Sequence, residues 1–192
     1  MRITTPRISL QPLSFAQLQL CLTNLPALEA ELGLPILREV LDENLTRALG
    51  IKIAKMENLP LEKHPWQTYW LIVIPNREVL EAGEPGRWGS RVGAGFIGFK
   101  GYLNEAGEAE IGYGIAPQYQ GQGYTTEAVR ALCTWAFTDP ACRAITATTV
   151  VNPASNRVLY KVGAQIFKAH AGQMDWKIFR AGFKCLGSVT ES

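Results

Sequence analysis

The sequence predicts an α/β domain of the α+β kind, with helices packed on a largely antiparallel sheet, and three observations predict it. Beyond residue 65, short β-branched and aromatic runs, Tyr69 to Ile74, Val92 to Lys100 and Ala109 to Ala116, are each bounded by Gly, Pro or Asn, as successive strands are. Before that point apolar residues recur at helical rather than alternating spacing. After Pro117, a glycine-rich loop leads through helix, strand and helix, a βαβα order. At 192 residues, with 47% hydrophobic and 19% charged positions, the chain is long enough for one sizeable core and short for two, so residues 1–192 are expected to form a single domain.

Taken in order, Ile3 to Leu13 reads as a strand interrupted by Pro6. Ser14 is an N-cap for a helix through Leu18, Leu22 and Leu25 that Pro26 ends or kinks. From Pro35 a second helical stretch carries Leu37, Val40, Leu41, Leu45 and Leu49, with Gly50 expected to interrupt it. Pro75 to Arg91, with Gly83, Pro85, Gly86 and Gly89, is too long for a hairpin turn and is expected to be a long loop. A helix follows from about Tyr124 to Phe137, then a strand from Arg143 to Val151 and a helix from about Ser155 to Val162. Ala164 to His170 and Met174 to Arg180 form a closing hairpin, and residues 186–192 read as a polar tail.

Composition narrows the function. The formal charge is +2 and no Lys/Arg-rich run tracks a phosphate backbone, so nucleic acid is a poor partner. Cys21, Cys133, Cys142 and Cys185 lie far apart with no metal-ligand spacing, which predicts free thiols in a reducing cytosol and no metal. No apolar run approaches the ~20 residues of a membrane span, so no membrane partner and a cytoplasmic location are expected. Trp66, Tyr69, Trp70, Trp88 and Trp176 read more readily as core than as pocket lining.

Two glycine motifs stand out. Gly93-Ala94-Gly95-Phe96-Ile97-Gly98 fits GxGxxG but lies within a strand pattern and precedes no helix, so close strand packing explains it better than a dinucleotide site. Gln118-Tyr119-Gln120-Gly121-Gln122-Gly123 does connect a strand to a helix. Helix N-termini leave amides unpaired and glycines let backbone approach an anion, so the loop is either a phosphate cradle or a plain turn.

Gln118 to Gly123 resembles the Q/R-x-x-G-x-G/A motif of the GNAT acetyltransferase superfamily. Asn152 to Ala164, Asn-Pro-Ala-Ser-Asn-Arg-Val-Leu-Tyr-Lys-Val-Gly-Ala, resembles its second signature, N-x-x-S-x-x-V-L-x-K-x-G. With Ala109-Glu110-Ile111-Gly112-Tyr113, the pattern is similar to the subgroup of ribosomal-protein N-terminal acetyltransferases and related small-amine acetylators, over residues 92–164. The resemblance implies a GNAT fold: a mixed, mostly antiparallel sheet of about six to seven strands flanked by helices on both faces, with a splayed strand pair at the coenzyme A site. It implies acetyl transfer from acetyl-CoA to a primary amine, on a protein N-terminus or a small molecule, by direct attack in a ternary complex. A non-catalytic acyl-CoA sensor with the same fold is the competing expectation, and homodimers through the N-terminal helices or C-terminal strands are common for the fold.

Residue by residue, the resemblance implies that the strand ending at Ile115 and Ala116 splays from its neighbour and pairs with the pantetheine arm, one of those amides polarising the thioester carbonyl. It implies that Gln120, Gly121, Gln122, Gly123, Tyr124 and Thr125 present amides to the pyrophosphate. The residues supply their own reasons: Gly112 and Gly114 leave one face of that strand almost bare, and Pro117 cannot continue a ladder. Glu110 shares that face and is the candidate general base, with a solvated strand-end glutamate as the alternative. Ser155 matches the position near the departing sulfur, with an N-cap as its alternative role, and Asn152 and Asn156 orient the pantetheine or the helix start. The family's common tyrosine acid falls on Leu159, and Tyr160, turned ~100° away on a helix, is no substitute. Glu127 reads as structural.

Overall fold

The computed structural model describes residues 1–76, 90–185 and 190–191. Most of the loop expected over 75–91, with Trp88, lies outside the described residues. β1 (Ile3–Thr4) and β2 (Ser9–Pro12) pair antiparallel on either side of the break at Pro6, which has no N–H to give a ladder. α1 (Phe15–Thr23) opens with a capping box: Ser14 Oγ accepts from Gln17 N while the Gln17 side chain reaches back to Ser14 N. Pro26 does not end this helix. Asn24 caps a second one, α2 (Leu25–Leu32), whose first turn tolerates the proline, and left-handed Gly33 ends it.

α3 (Glu43–Met56) starts at the Asp42 cap rather than at Pro35, and Gly50 lies inside it uninterrupted. Leu49, Lys52 and Met56 are buried along one stripe, and that packing outweighs the roughly 1 kcal/mol a helical glycine costs. The short α4 (His64–Gln67) then leads into β3 (Trp70–Pro75).

β4 (Arg91–Phe99), β5 (Glu108–Ile115), α5 (Tyr124–Ala136), β6 (Ala144–Val150), α6 (Pro153–Lys161), β7 (Gln165–His170), β8 (Gln173–Phe179) and β9 (Thr190–Glu191) complete the order. One sheet runs β7-β8-β6-β5-β4-β3-β2-β1-β9. Its nine strands exceed the expected six or seven because Pro6 divides the first and the stretch read as a polar tail adds β9. Every pairing is antiparallel except β5–β6, which α5 joins by a crossover.

The sheet is covered on both faces. On one, Leu71, Val73 and Phe96 pack under Leu18, Leu28, Leu49 and Met56 of α1 to α3. On the other, Val129 and Leu132 of α5 join Trp66, Trp70 and Phe99 around Trp135, so the two tryptophans are core residues as expected. The GxGxxG glycines are packing residues: a Cβ on Gly95 would sit 2.3 Å from the Gly114 carbonyl oxygen, and one on Gly98 2.6 Å from that of Thr68. Cys21, Cys133 and Cys142 are buried free thiols, and burial pushes Cys21 and Cys142 up to about 12. No described helix is long and apolar enough to cross a membrane.

Lys52 is the one cation sunk in this core, 4% exposed among the described residues. Its Nζ donates to the carbonyls of Gln67, at 2.7 Å, and Phe99, and lies 4.6 Å from the Tyr69 ring centroid. Burial, with a small contribution from Lys55, still pushes it down from 10.5 to about 7. The unfolded chain therefore binds the extra proton between these values, so stability should rise with pH from about 7 to about 10.5, by up to about 1.4 kcal/mol per unit. Denaturant titrations of Lys52→Met over that range should show this rise flattened; an unchanged slope would assign it elsewhere.

Candidate functional site

β5 and β6 run together only at their start. Their parallel register covers Glu108↔Ala144, Ala109↔Ile145 and Glu110↔Thr146 and stops, whereas β5 stays on β4 as far as Gly95↔Ile115. The expected splay is therefore present. β6 turns away through a bulge between Ala147 and Val150, where Thr149 takes a left-handed φ of 53° and its N–H donates to Asp175 Oδ1 at 2.7 Å.

Hydrogen-bond phase decides which part of β5 faces the gap. Ala116 N donates to Ala94 O at 2.8 Å and Lys100 N to Glu110 O at 2.7 Å, so even-numbered residues spend their backbone on β4. Tyr113 and Ile115, in the opposite phase, turn theirs toward the gap. This divides the expected pair. Ile115 faces the opening, while Ala116 is fully buried with its amide committed.

A cavity of about 370 Å³ fills the gap, lined by Tyr113 to Ile115, by Tyr119, Gln120, Gly121 and Gly123 of the loop, and by α6. Gly121 and Gly123 hold φ of 73° and 84°, conformations that cost other residues strain, and Gly123 caps α5 with no side chain on the first-turn amides. The loop is braced from behind. Arg7 Nε meets Glu127 Oε2 at 2.6 Å, Arg7 Nη1 donates to Gln122 O, and Thr5 Oγ1 donates to Glu127 Oε1, so Glu127 is a structural clamp as expected. Gln120 Nε2 donates to Ile115 O at 3.2 Å, across the mouth of the gap.

The other sequence candidates sort by side-chain direction. Gln120, Gly121, Gly123, Thr125, Asn152 and Ser155 all line the cavity. Gln122 does not; its amide nitrogen is turned to Gln118 O. The Tyr124 ring is buried beneath Arg7, leaving only its amide available. α6 begins at Pro153 with Asn152 as its cap, accepting from Ala154 N at 2.8 Å, so Ser155 is not the N-cap that was its alternative. Asn156 lies outside the cavity with Oδ1 accepting from Trp176 Nε1 at 2.8 Å; it orients α6 against β8 rather than facing the channel. Leu159 is buried and Tyr160 is 75% exposed away from the cavity, in line with the helical rotation.

Three residues with no role assigned from sequence also line the channel, Lys161 being the lysine of the second signature. Arg157 and Lys161 follow Ala154 on the same face of α6, a spacing the sequence contained, and bring positive charge to the cavity wall. Tyr113 spans the gap, its hydroxyl donating to Ser155 O at 3.3 Å, and burial pushes its phenol up to about 12.

A second cavity, of about 330 Å³, lies on the α3 side and shares Asp42, Tyr113, Gly114 and Ile115 with the first. A Cβ at Gly112 or Gly114 would meet nothing within 4 Å, so these bare positions open onto space and no close approach within the protein requires them. Glu110, two residues along that face, lines neither cavity. Its Oε1 receives both Lys100 Nζ and Thr148 Oγ1 at 2.5 Å. A larger cleft, about 640 Å³ between Arg2, Ser14 and His64, lies apart from the gap and gathers no comparable set of groups.

A family model described as an acetyltransferase (GNAT) domain matches residues 43–165, which contain both cavities' β5 wall, the glycine loop and α6. The chain belongs to the GNAT acetyltransferase family. Among solved structures, this GNAT chain is similar to the ribosomal-protein-S5-alanine acetyltransferase from Vibrio fischeri, at 15% identity, covering 96% of this chain and 99% of that one with a TM-score of 0.57. It is similar also to Mycobacterium smegmatis RimJ in complex with CoA-disulfide, at 18% identity, 93% and 87% coverage and a TM-score of 0.55. A GNAT-family acetyltransferase from Bacillus anthracis matches at 19% identity, 94% and 99% coverage and a TM-score of 0.54. At such identities the likeness shows the fold. A search of curated protein sequences gave no match.

The left-handed Thr149 gives a test of how the gap is held open. A β-branched residue at positive φ costs of order 1–3 kcal/mol. Thr149→Gly should raise stability by about 1 kcal/mol in chemical denaturation; a loss of stability would show that the threonine's contacts outweigh its backbone strain.

Proposed function

We propose that the chain is an acetyl-CoA-dependent N-acetyltransferase acting on a primary amine. The observation that carries this is the edge of β5 at Tyr113 and Ile115, which has no neighbouring strand and faces a channel also lined by the glycine loop before an α5 N-terminus with no side-chain cap. An extended pantetheine arm carries amides that complete that edge, and the α5 amides, with Arg157 and Lys161, suit a pyrophosphate.

In this reading the acyl group lies between the cavities, where Ile115 N–H polarises its carbonyl. The amine enters over Gly112 and Gly114, its nitrogen bonds to the acyl carbon, and the carbon–sulfur bond breaks. Glu110 takes the amine's proton through water, since Gly112 separates it from the cavity and a strand advances about 3.3 Å per residue. Ser155 Oγ donates a hydrogen bond that solvates the departing thiolate, and Tyr113 fixes the Ser155 backbone across the gap. The similar Vibrio fischeri structure is named for a ribosomal protein, which brings a protein N-terminus within the reading beside a small amine.

The Lys100 and Thr148 contacts on Glu110 favour a second reading, a non-catalytic acyl-CoA sensor, because they tie up one of its two carboxylate oxygens. Calorimetric titration with acetyl-CoA and thiol release against an amine panel separate the two. Wild-type protein should bind, and Gly121→Val, forced into a left-handed backbone, should bind at least about tenfold more weakly. Glu110→Gln should lower kcat by about a hundredfold with acetyl-CoA affinity retained. Binding with no thiol release from any amine supports the sensor, and absence of binding overturns both readings.

A further inference from the structure

The second cavity carries a charge signature that acetyl transfer alone does not require. Of the described residues lining it, the two that bear charge are Glu39 and Asp42, both carboxylates at its exposed rim, and no Lys or Arg lines it. Asp42 reaches both cavities, so it stands where they meet, while Glu39 lines only the outer one. Below this rim the lining turns apolar, with Val40, Leu45 and the edge-to-face pair Tyr69 and Phe96, whose centroids lie 6.1 Å apart. At about 330 Å³ the space is near the lower end of the range for ligand pockets, so it admits a compact body.

Resting on the acetyltransferase reading, we infer that Glu39 and Asp42 select the acceptor: a cationic primary amine on a compact apolar or aromatic body, with no carboxylate beside the amine. The rim attracts the ammonium form and concentrates it at the junction with the acyl channel. The same two carboxylates repel an acceptor bearing its own carboxylate, such as a free amino acid or a peptide with an acidic second residue. The Tyr69 and Phe96 rings supply the apolar contact that keeps the body of the amine inside. Asp42 also caps α3 by accepting from Leu45 N at 2.7 Å, which fixes the carboxylate's position at the junction.

The test uses matched ligands and direct binding to the full chain, with and without saturating CoA. Tyramine, tyrosinamide and tyrosine differ chiefly in the group beside the amine. Tripeptide amides Tyr-Lys-Leu and Tyr-Glu-Leu repeat the comparison for a protein N-terminus. Tyramine and tyrosinamide should bind about tenfold or more tightly than tyrosine, or Tyr-Lys-Leu more tightly than Tyr-Glu-Leu by a similar factor. The series that shows the preference identifies a small amine or a protein N-terminus as its source. In the Glu39→Gln, Asp42→Asn double variant the preference should shrink to within about threefold; asparagine also caps helices, so α3 is retained. Equal affinities within each pair, no binding in either series, or a preference unchanged in the double variant overturns the inference. Because binding to the CoA-free protein is read separately, failure of the chain to bind CoA overturns the acetyltransferase reading without obscuring the cavity's charge selectivity.

Discussion

A β-strand that loses its neighbour exposes N–H and C=O groups that must find partners, and β5 meets this constraint midway along its length. Through Glu110 it pairs on both sides; beyond that, its Tyr113 and Ile115 edge faces a channel while the opposite edge stays locked to β4. An unsatisfied strand edge is a template for any extended chain with amides of its own. Within the molecule, the Gln120 side chain on Ile115 O and the Tyr113 hydroxyl on Ser155 O partly occupy the gap. The strain at Thr149 and its bond to Asp175 belong to the same device, because they carry β6 out of reach of β5.

The glycine loop depends on that geometry and on a brace from elsewhere. Its two left-handed glycines leave the α5 amides uncapped, and the backbone there is steadied by Arg7 and Glu127 rather than by a helix cap. The brace ties the N-terminal hairpin to α5 across the sheet, so residues more than a hundred positions away in sequence fix the loop's position. With Arg157 and Lys161 supplied from α6, residues of separate segments line one cavity.

How much of this was legible in the sequence differs by residue. The strand runs, the helix capped at Ser14, α5 and the glycine loop could be read because local propensity and tertiary structure agree there. Pro26 and Gly50 were misread as a stop and a break. A proline suits a helix's first turn as readily as it ends the previous helix, and an apolar stripe through Leu49 and Met56 carries α3 across its glycine. Asn156, within the second signature, and Ala116, at the end of the strand the resemblance marks, face away from the channel, since side-chain direction on a helix and hydrogen-bond phase on a strand follow from register, which a motif does not contain.

By itself, then, the sequence determined the order of elements, the family, the two glycines at the turn into α5 and the bare face of β5, because each is written in residue type at short range. Tertiary structure alone decided that β5 and β6 part after Glu110 and that Glu110 is held by Lys100 and Thr148. It also placed Asp42, from a helix cap, at the meeting point of two cavities. These are relations between segments distant along the chain. Strand register, a single bulge and the seating of α3 on the sheet set them, and no local pattern of residue types encodes such distances.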